Sequence, residues 1–130
     1  MKILKISFMT ILFALAFGLP DVGAQSKKFQ TRCGWLDNPT PGNFSFYDRD
    51  GEWTIGVQGG YQVEDFEMPV FKPNQWIVTN TADYGYGCAC FQMTVDEETS
   101  RVLEIRKSYA KPLSACRKDK ALRKWKSTVE

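Results

Sequence analysis

Tyr84-Gly85-Tyr86-Gly87-Cys88-Ala89-Cys90-Phe91-Gln92-Met93-Thr94-Val95 alternates small and large residues with a period of two and holds two of the chain's four cysteines. Successive side chains of a strand point to opposite faces. Tyr84, Tyr86, Cys88 and Cys90 therefore share one face, and Gly85, Gly87, Ala89 and Phe91 the other. The cysteine face must meet whatever carries Cys33 and Cys116, so the segment reads as the central, disulfide-bearing strand of a small β domain. The opposite face is nearly bare. Either an indole ring, Trp53 or Trp76, lies flat across it, or it floors a shallow groove for a ligand. Packing is the preferred reading, because rings are the main fillers of so small a domain.

Working outward, Asp96–Ser100 is a polar turn and Arg101–Arg106 returns as the hairpin partner, closed by Pro112. Upstream, Gln75–Thr79 has strand composition. Phe44–Asp48 and Glu52–Gln58 also read as strands, and the Asp50-Gly51 pair between them is a strong hairpin signal. Trp53, Ile55 and Val57 share a face expected to be core. Asp37–Asn43, with Asn38-Pro39 and Pro41-Gly42, reads as an ordered turn, and Gln25–Arg32 as a loose polar leader. Gln58–Asn74 lacks periodicity and is the longest expected loop. About five β segments joined by short turns predict an all-β fold, an antiparallel sheet closing into a small barrel or sandwich.

Three disulfide pairings are open to four cysteines. Cys88 with Cys90 would close a very tight ring from an extended strand, where side chains two apart stand beyond bridging distance. If the 96–100 turn makes a hairpin, Val95 faces about Arg101 and Cys88 lies near Ser108, a few residues short of Cys116. Cys88–Cys116 is then the easier bridge and Cys33–Cys90 follows by exclusion. The competing reading is a four-thiolate site for zinc or copper(I) built on Cys88-Ala89-Cys90. Cys33 and Cys116 stand alone in sequence, whereas structural zinc sites usually present two closely spaced pairs, so the disulfide reading is preferred.

Lys2 and Lys5 precede an apolar run from Ile6 to Leu19, and Val22-Gly23-Ala24 places small residues at the expected cleavage point. This is the pattern of a secretory signal peptide over residues 1–24. The run is short of the roughly 20 residues of a membrane span. The expected organisation is a signal peptide at 1–24, a single β domain at 25–116 and a basic C-terminal tail at 117–130 with the capacity for a short helix. A chain routed to the periplasm or secreted is one in which disulfides persist. No further transmembrane segment is expected after cleavage.

Several chemistries find no support. The sequence contains no His, which removes the commonest general base and metal ligand. Asp48-Arg49-Asp50-Gly51-Glu52 resembles a calcium loop only superficially, since Phe46 and Val57 would occupy ligating positions. Gly59-Gly60 lacks the following Lys-Ser/Thr of a phosphate cradle. Ser114 has no visible base. Asp37, Asp48, Asp50 and Asp83 neighbour aromatics and are the only carboxylates with a case for glycoside hydrolysis. The chain is therefore read as neither an enzyme nor a cofactor or metal protein. Trp35, Tyr84 and Tyr86 would form an exposed aromatic patch for carbohydrate or peptide if Cys33 joins Cys90. The tail carries Arg117, Lys118, Lys120, Arg123, Lys124 and Lys126 against Asp119 and Glu130, with Trp125 as an apolar anchor. It could touch anionic envelope polymers or lipid head groups, but a solvated, frayed terminus is the preferred reading. Nucleic acid is not an expected partner.

The blocks Cys33-Gly34-Trp35-Leu36-Asp37-Asn38-Pro39-Thr40-Pro41-Gly42-Asn43, Asp48-Arg49-Asp50-Gly51-Glu52-Trp53, Tyr84–Cys90 and Pro112-Leu113-Ser114-Ala115-Cys116-Arg117 together resemble a bacterial family of small exported proteins known as a domain of unknown function. The resemblance spans residues 33–117 and implies a bacterial envelope protein, with no catalytic residues to carry over. The resulting expectation is a non-catalytic envelope or periplasmic binding module. The alternatives are an inhibitor of an envelope-directed hydrolase such as lysozyme, or a peptidoglycan-binding carbohydrate domain using Trp35, Tyr84 and Tyr86.

Overall fold

The computed structural model describes residues 28–130, so the expected signal peptide lies outside the described residues. The fold is all-β, with a short helical C-terminus. Its strands are β1 (Gln30–Thr40), β2 (Asn43–Tyr47), β3 (Glu52–Gly56), β4 (Trp76–Val78), β5 (Gly85–Asp96) and β6 (Arg101–Lys111). After them come α1 (Leu113–Lys118), a 3-10 helix over Lys120–Trp125 and α2 (Lys126–Val129). The strands form one sheet in the order β1-β2-β3-β6-β5-β4, and a further β1–β5 pairing closes five of them into a barrel. All contacts are antiparallel except the short β3–β6 seam, where Thr54 pairs with Arg101 and the Thr54 N–H donates to the Ser100 carbonyl at 2.8 Å.

β5 is the hub. One of its edges runs along β1 from Gly85 to Met93, and the other is shared by β4 and β6. A backbone committed on both edges and buried almost throughout explains the near-continuous apolar run of its sequence. The small residues have a steric cause. A Cβ on Gly87 would overlap Phe71, the Gln75 carbonyl and Trp76, and one on Gly85 would overlap the Ile77 carbonyl. Trp76 thus covers the bare face, with the Phe71 ring 4.8 Å away, and no groove is left there. Trp53 is placed inside the barrel instead.

Alternation sorts the side chains into two clusters. Leu36, Phe46, Trp53, Ile55, Phe91, Met93 and Val102 fill the interior, with the Phe46 and Phe91 rings edge to face at 4.9 Å. Trp35, Tyr47, Tyr86 and Cys88 point outward, and Leu113, Cys116, Leu122 and Val129 of the C-terminal helices cover them. Two disulfides pin these layers. Cys33–Cys90 joins directly opposed residues of β1 and β5, and Cys88–Cys116 ties β5 to α1.

Several expectations change. Asp37–Asn43 is not a turn along its whole length, and the leader is partly strand, because β1 runs from Gln30 to Thr40. Pairing along both β1 edges outweighs the local turn signal of Asn38-Pro39. Asn38 Nδ2 donates to the Thr40 and Asn43 carbonyls at 2.8 and 2.7 Å, and the true turn is Pro41-Gly42, with Gly42 at φ +71. This strand raises the total to six. The hairpin register also moves: Cys88 faces Lys111 rather than Ser108, because irregularities at Gln92/Met93 and Thr94/Val95 insert extra β6 residues. Val57 lies beyond the end of β3 and is exposed, not core. Finally, the basic tail is folded rather than frayed, since Leu122 and Val129 are buried. No helix among the described residues is long and apolar enough to cross a membrane.

Candidate functional site

The C-terminal helices form a cap whose apolar side chains are spent on the barrel. Leu113, Leu122 and Val129 are buried beneath it, Cys116 is bonded to Cys88, and Asp119 caps the 3-10 helix by accepting the Ala121 N–H at 2.9 Å. Trp125 donates its indole N–H to the Asp48 carbonyl, and Lys124 Nζ donates to the Arg49 carbonyl at 2.9 Å. The cationic side chains are left outside. Arg117, Lys118, Lys120, Arg123, Lys124 and Lys126 are all exposed, and the one cap ion pair found among the described residues is a long Lys126–Glu130 contact of 3.7 Å. Arg117, Arg123, Lys126 and Glu130 surround a cavity of about 290 Å³ whose wall includes Trp35, Leu122 and Cys116.

This placement corrects the expected aromatic patch. Trp35 and Tyr86 are only 4% and 3% exposed and meet edge to face at 5.5 Å. Cross-strand packing and the cap bury them, because rings on the outer barrel face need an apolar cover. Tyr84 is half-buried at the entrance to β5. Of the three, Trp35 alone lines the cap cavity, and a free platform of Trp35, Tyr84 and Tyr86 does not exist.

The carboxylates fall into two settings. Asp48 is buried, and its Oδ1 accepts the Asp50 and Gly51 N–H groups at 2.8 and 3.0 Å. Arg32 Nη1 donates to Asp48 Oδ2 and Asp50 Oδ2, both at 2.8 Å. This binds the β2–β3 turn to the start of β1, a structural use of the aspartates. Asp37 sits on the outer face, opposite Ser45 and Tyr86. Burial raises its carboxyl to about 6, and the charge of Glu52 adds to the shift. Burial likewise pushes the Tyr47 phenol up to about 12. Ser45 Oγ donates to Glu52 at 3.3 Å. Among the described residues Asp83 contributes only its backbone carbonyl, which accepts the Trp76 indole N–H at 2.9 Å.

All four sulfurs are consumed in the two disulfides, which overturns the thiolate-metal alternative. No group of three or more Asp, Glu, Cys or His residues among the described residues could hold a metal ion. Arg32 was the residue least visible in the sequence: its partners Asp48 and Asp50 lie 16 and 18 residues away. The only available signal was its alternation with Gly34 and Leu36, which sets it on the inward face of β1.

Residues 27–123 match the model of the family described as protein of unknown function (DUF4087). No curated protein matches the chain, and no solved structure does.

Proposed function

The chain belongs to the DUF4087 family, and from that premise we propose that it is an exported, non-catalytic binding module that holds an anionic glycan of the bacterial cell envelope on its C-terminal cap. The observation that carries this reading is the division of labour within the cap. Its apolar residues and Cys116 fix it to the barrel, while six cations stay exposed. A cationic surface held in fixed geometry loses little conformational entropy on binding. Two guanidiniums lining one cavity suit a carboxylated or phosphorylated sugar, because Arg forks onto planar oxyanions. The signal-peptide pattern and the two disulfides support a periplasmic or secreted location. The absence of His from the sequence and the use of Asp48 in a buried turn support a non-catalytic role.

Co-sedimentation of the purified protein with peptidoglycan sacculi tests this reading. Binding is expected to weaken as salt rises from about 0.05 to 0.3 M, and to disappear in an Arg117→Glu, Arg123→Glu variant that keeps its disulfides. Binding that ignores both salt and the charge reversal would defeat the proposal.

A second reading, inhibition of an envelope-directed hydrolase such as lysozyme, has one observation in its favour. Val70 is 92% exposed on the segment between Phe66 and Phe71, whose rings pack on the barrel. Met68 is also exposed, and Glu64, Asp65 and Glu67 give the loop an acidic flank suited to a cationic enzyme. Loss of lysozyme inhibition on Val70→Asp would support this reading, and no inhibition by the unmodified protein would remove it.

A further inference from the structure

A second cavity, of about 550 Å³, opens where the start of β1, the β2–β3 turn and the hinge between α1 and the 3-10 helix converge. It is independent of the cap cavity. Its charged lining is mixed: Arg32 and Arg49 face it from one side of the charge balance, and Asp48, Asp50 and Asp119 from the other. Two of these residues are structural. Arg32 and Asp48 hold the turn, with side chains only 9% and 2% exposed.

That brace leaves a group unused. Arg32 donates through Nη1 and Nη2, yet its buried Nε–H has no partner among the described residues. A buried donor without an acceptor carries a desolvation penalty that an incoming oxygen would relieve. The same cavity is lined by groups with spare capacity. Arg49 is exposed and makes no side-chain ion pair among the described residues, and the Asp50 side chain is 59% exposed. Among the described residues Asp119 commits only Oδ1, to its helix cap.

Charge selects the ligand class. A simple anion entering this cavity would meet three carboxylates, and a simple cation two guanidiniums. A molecule carrying both charges at its two ends satisfies both sets, its carboxylate on the arginines and its ammonium on Asp50 and Asp119. The cavity is larger than a free amino acid requires. We infer that this cavity is a binding site for a short peptide with free amino and carboxyl termini.

The test is a titration of the full chain, with both disulfides formed, using unblocked alanyl-alanine. The reporters are the backbone amide resonances of Gln30–Cys33 and Arg49–Gly51. The N-acetylated and C-amidated forms of the same dipeptide are titrated in parallel. Saturable shifts are expected with the free dipeptide, and each blocked form should bind about tenfold more weakly. Arg49→Ala changes an exposed side chain and Asp50→Asn keeps an oxygen for Arg32, so both should fold, as a cooperative thermal transition would verify. Each should weaken the free dipeptide about tenfold. The inference is overturned if blocked and free forms bind alike, if folded Arg49→Ala and Asp50→Asn bind as the parent does, or if millimolar dipeptide shifts no resonance. Any of these would leave the arginine–aspartate cluster as a brace for the turn and nothing more.

Discussion

Trp125 donates its indole N–H to the backbone carbonyl of Asp48 at 2.7 Å, across 77 residues of chain. Its ring also lies 5.1 Å from that of Tyr47, so the end of the 3-10 helix is fastened to the β2–β3 turn. Replacing the indole by Phe keeps much of the packing and removes the hydrogen bond, at an expected cost of about 1 kcal/mol. Trp125→Ala removes both and should cost about 2–3 kcal/mol, below the usual range for a fully buried ring because Trp125 is half-buried. Urea unfolding reads both values. Equal stability of Trp125→Ala and the parent would mean that the cap is not anchored here.

The Cys88–Cys116 bridge closes a loop with a sequence separation of 28, and Cys33–Cys90 one of 57. Loop-closure entropy then predicts about 3–4 kcal/mol from each, the longer loop contributing slightly more. The functional consequences should differ. A Cys88→Ala, Cys116→Ala variant releases α1 and should lose binding to sacculi before it loses the barrel. A Cys33→Ala, Cys90→Ala variant should unfold more easily yet bind normally below its transition. Paired melting and co-sedimentation curves check this order, and identical behaviour of the two variants would contradict it.

Gly85 has no room for a side chain, because a Cβ there would overlap the Ile77 carbonyl. The obstacle is backbone, so no rotamer change can relieve it. Gly85→Ala should detach β4 from β5 and cost about 2–3 kcal/mol. Near-ultraviolet circular dichroism should report the displaced Trp76. A stability within about 0.5 kcal/mol of the parent would show that β4 is dispensable.

Asp37 gives the fold a pH signature. Its carboxyl titrates near 6 in the folded chain, above the ordinary aspartate value of 3.8. Between those values the folded state holds more protons than the unfolded one. The stabilising contribution is therefore complete below the unfolded value and is lost as pH rises through about 6. Asp37 is only partly buried, so solvent screening reduces the effect to about 1 kcal/mol. Asp37→Asn should raise stability by about that amount at pH 7 and flatten the profile between roughly pH 4 and 6. A parent profile with no decline across that window would refute the assignment.

Much of the architecture was legible because local chemistry and tertiary demand agree. Asp50-Gly51 makes the turn between β2 and β3, and the nearly unbroken run of apolar and small residues in Tyr84–Val95 marks a strand buried on both faces. Where they disagree, the sequence misleads. Asn38-Pro39 carries a turn signal, yet pairing with β2 and β5 keeps β1 extended through it. The candidate sites were less legible still. Trp35 reads as part of an exposed platform because nothing in the sequence says that Leu122 and Val129 return to cover it.

By itself, the sequence determined the β class, the central place of the Cys88–Cys90 strand and the concentration of cations at the C-terminus, because periodicity, turn residues and charge are properties of neighbours along the chain. Only the tertiary structure decided that the cap folds onto the barrel, that Trp35 and Tyr86 are buried, and that Arg32 meets Asp48 and Asp50. Those contacts join residues far apart in sequence, and their free energy arises from burial and charge pairing that exist only once the strands have closed.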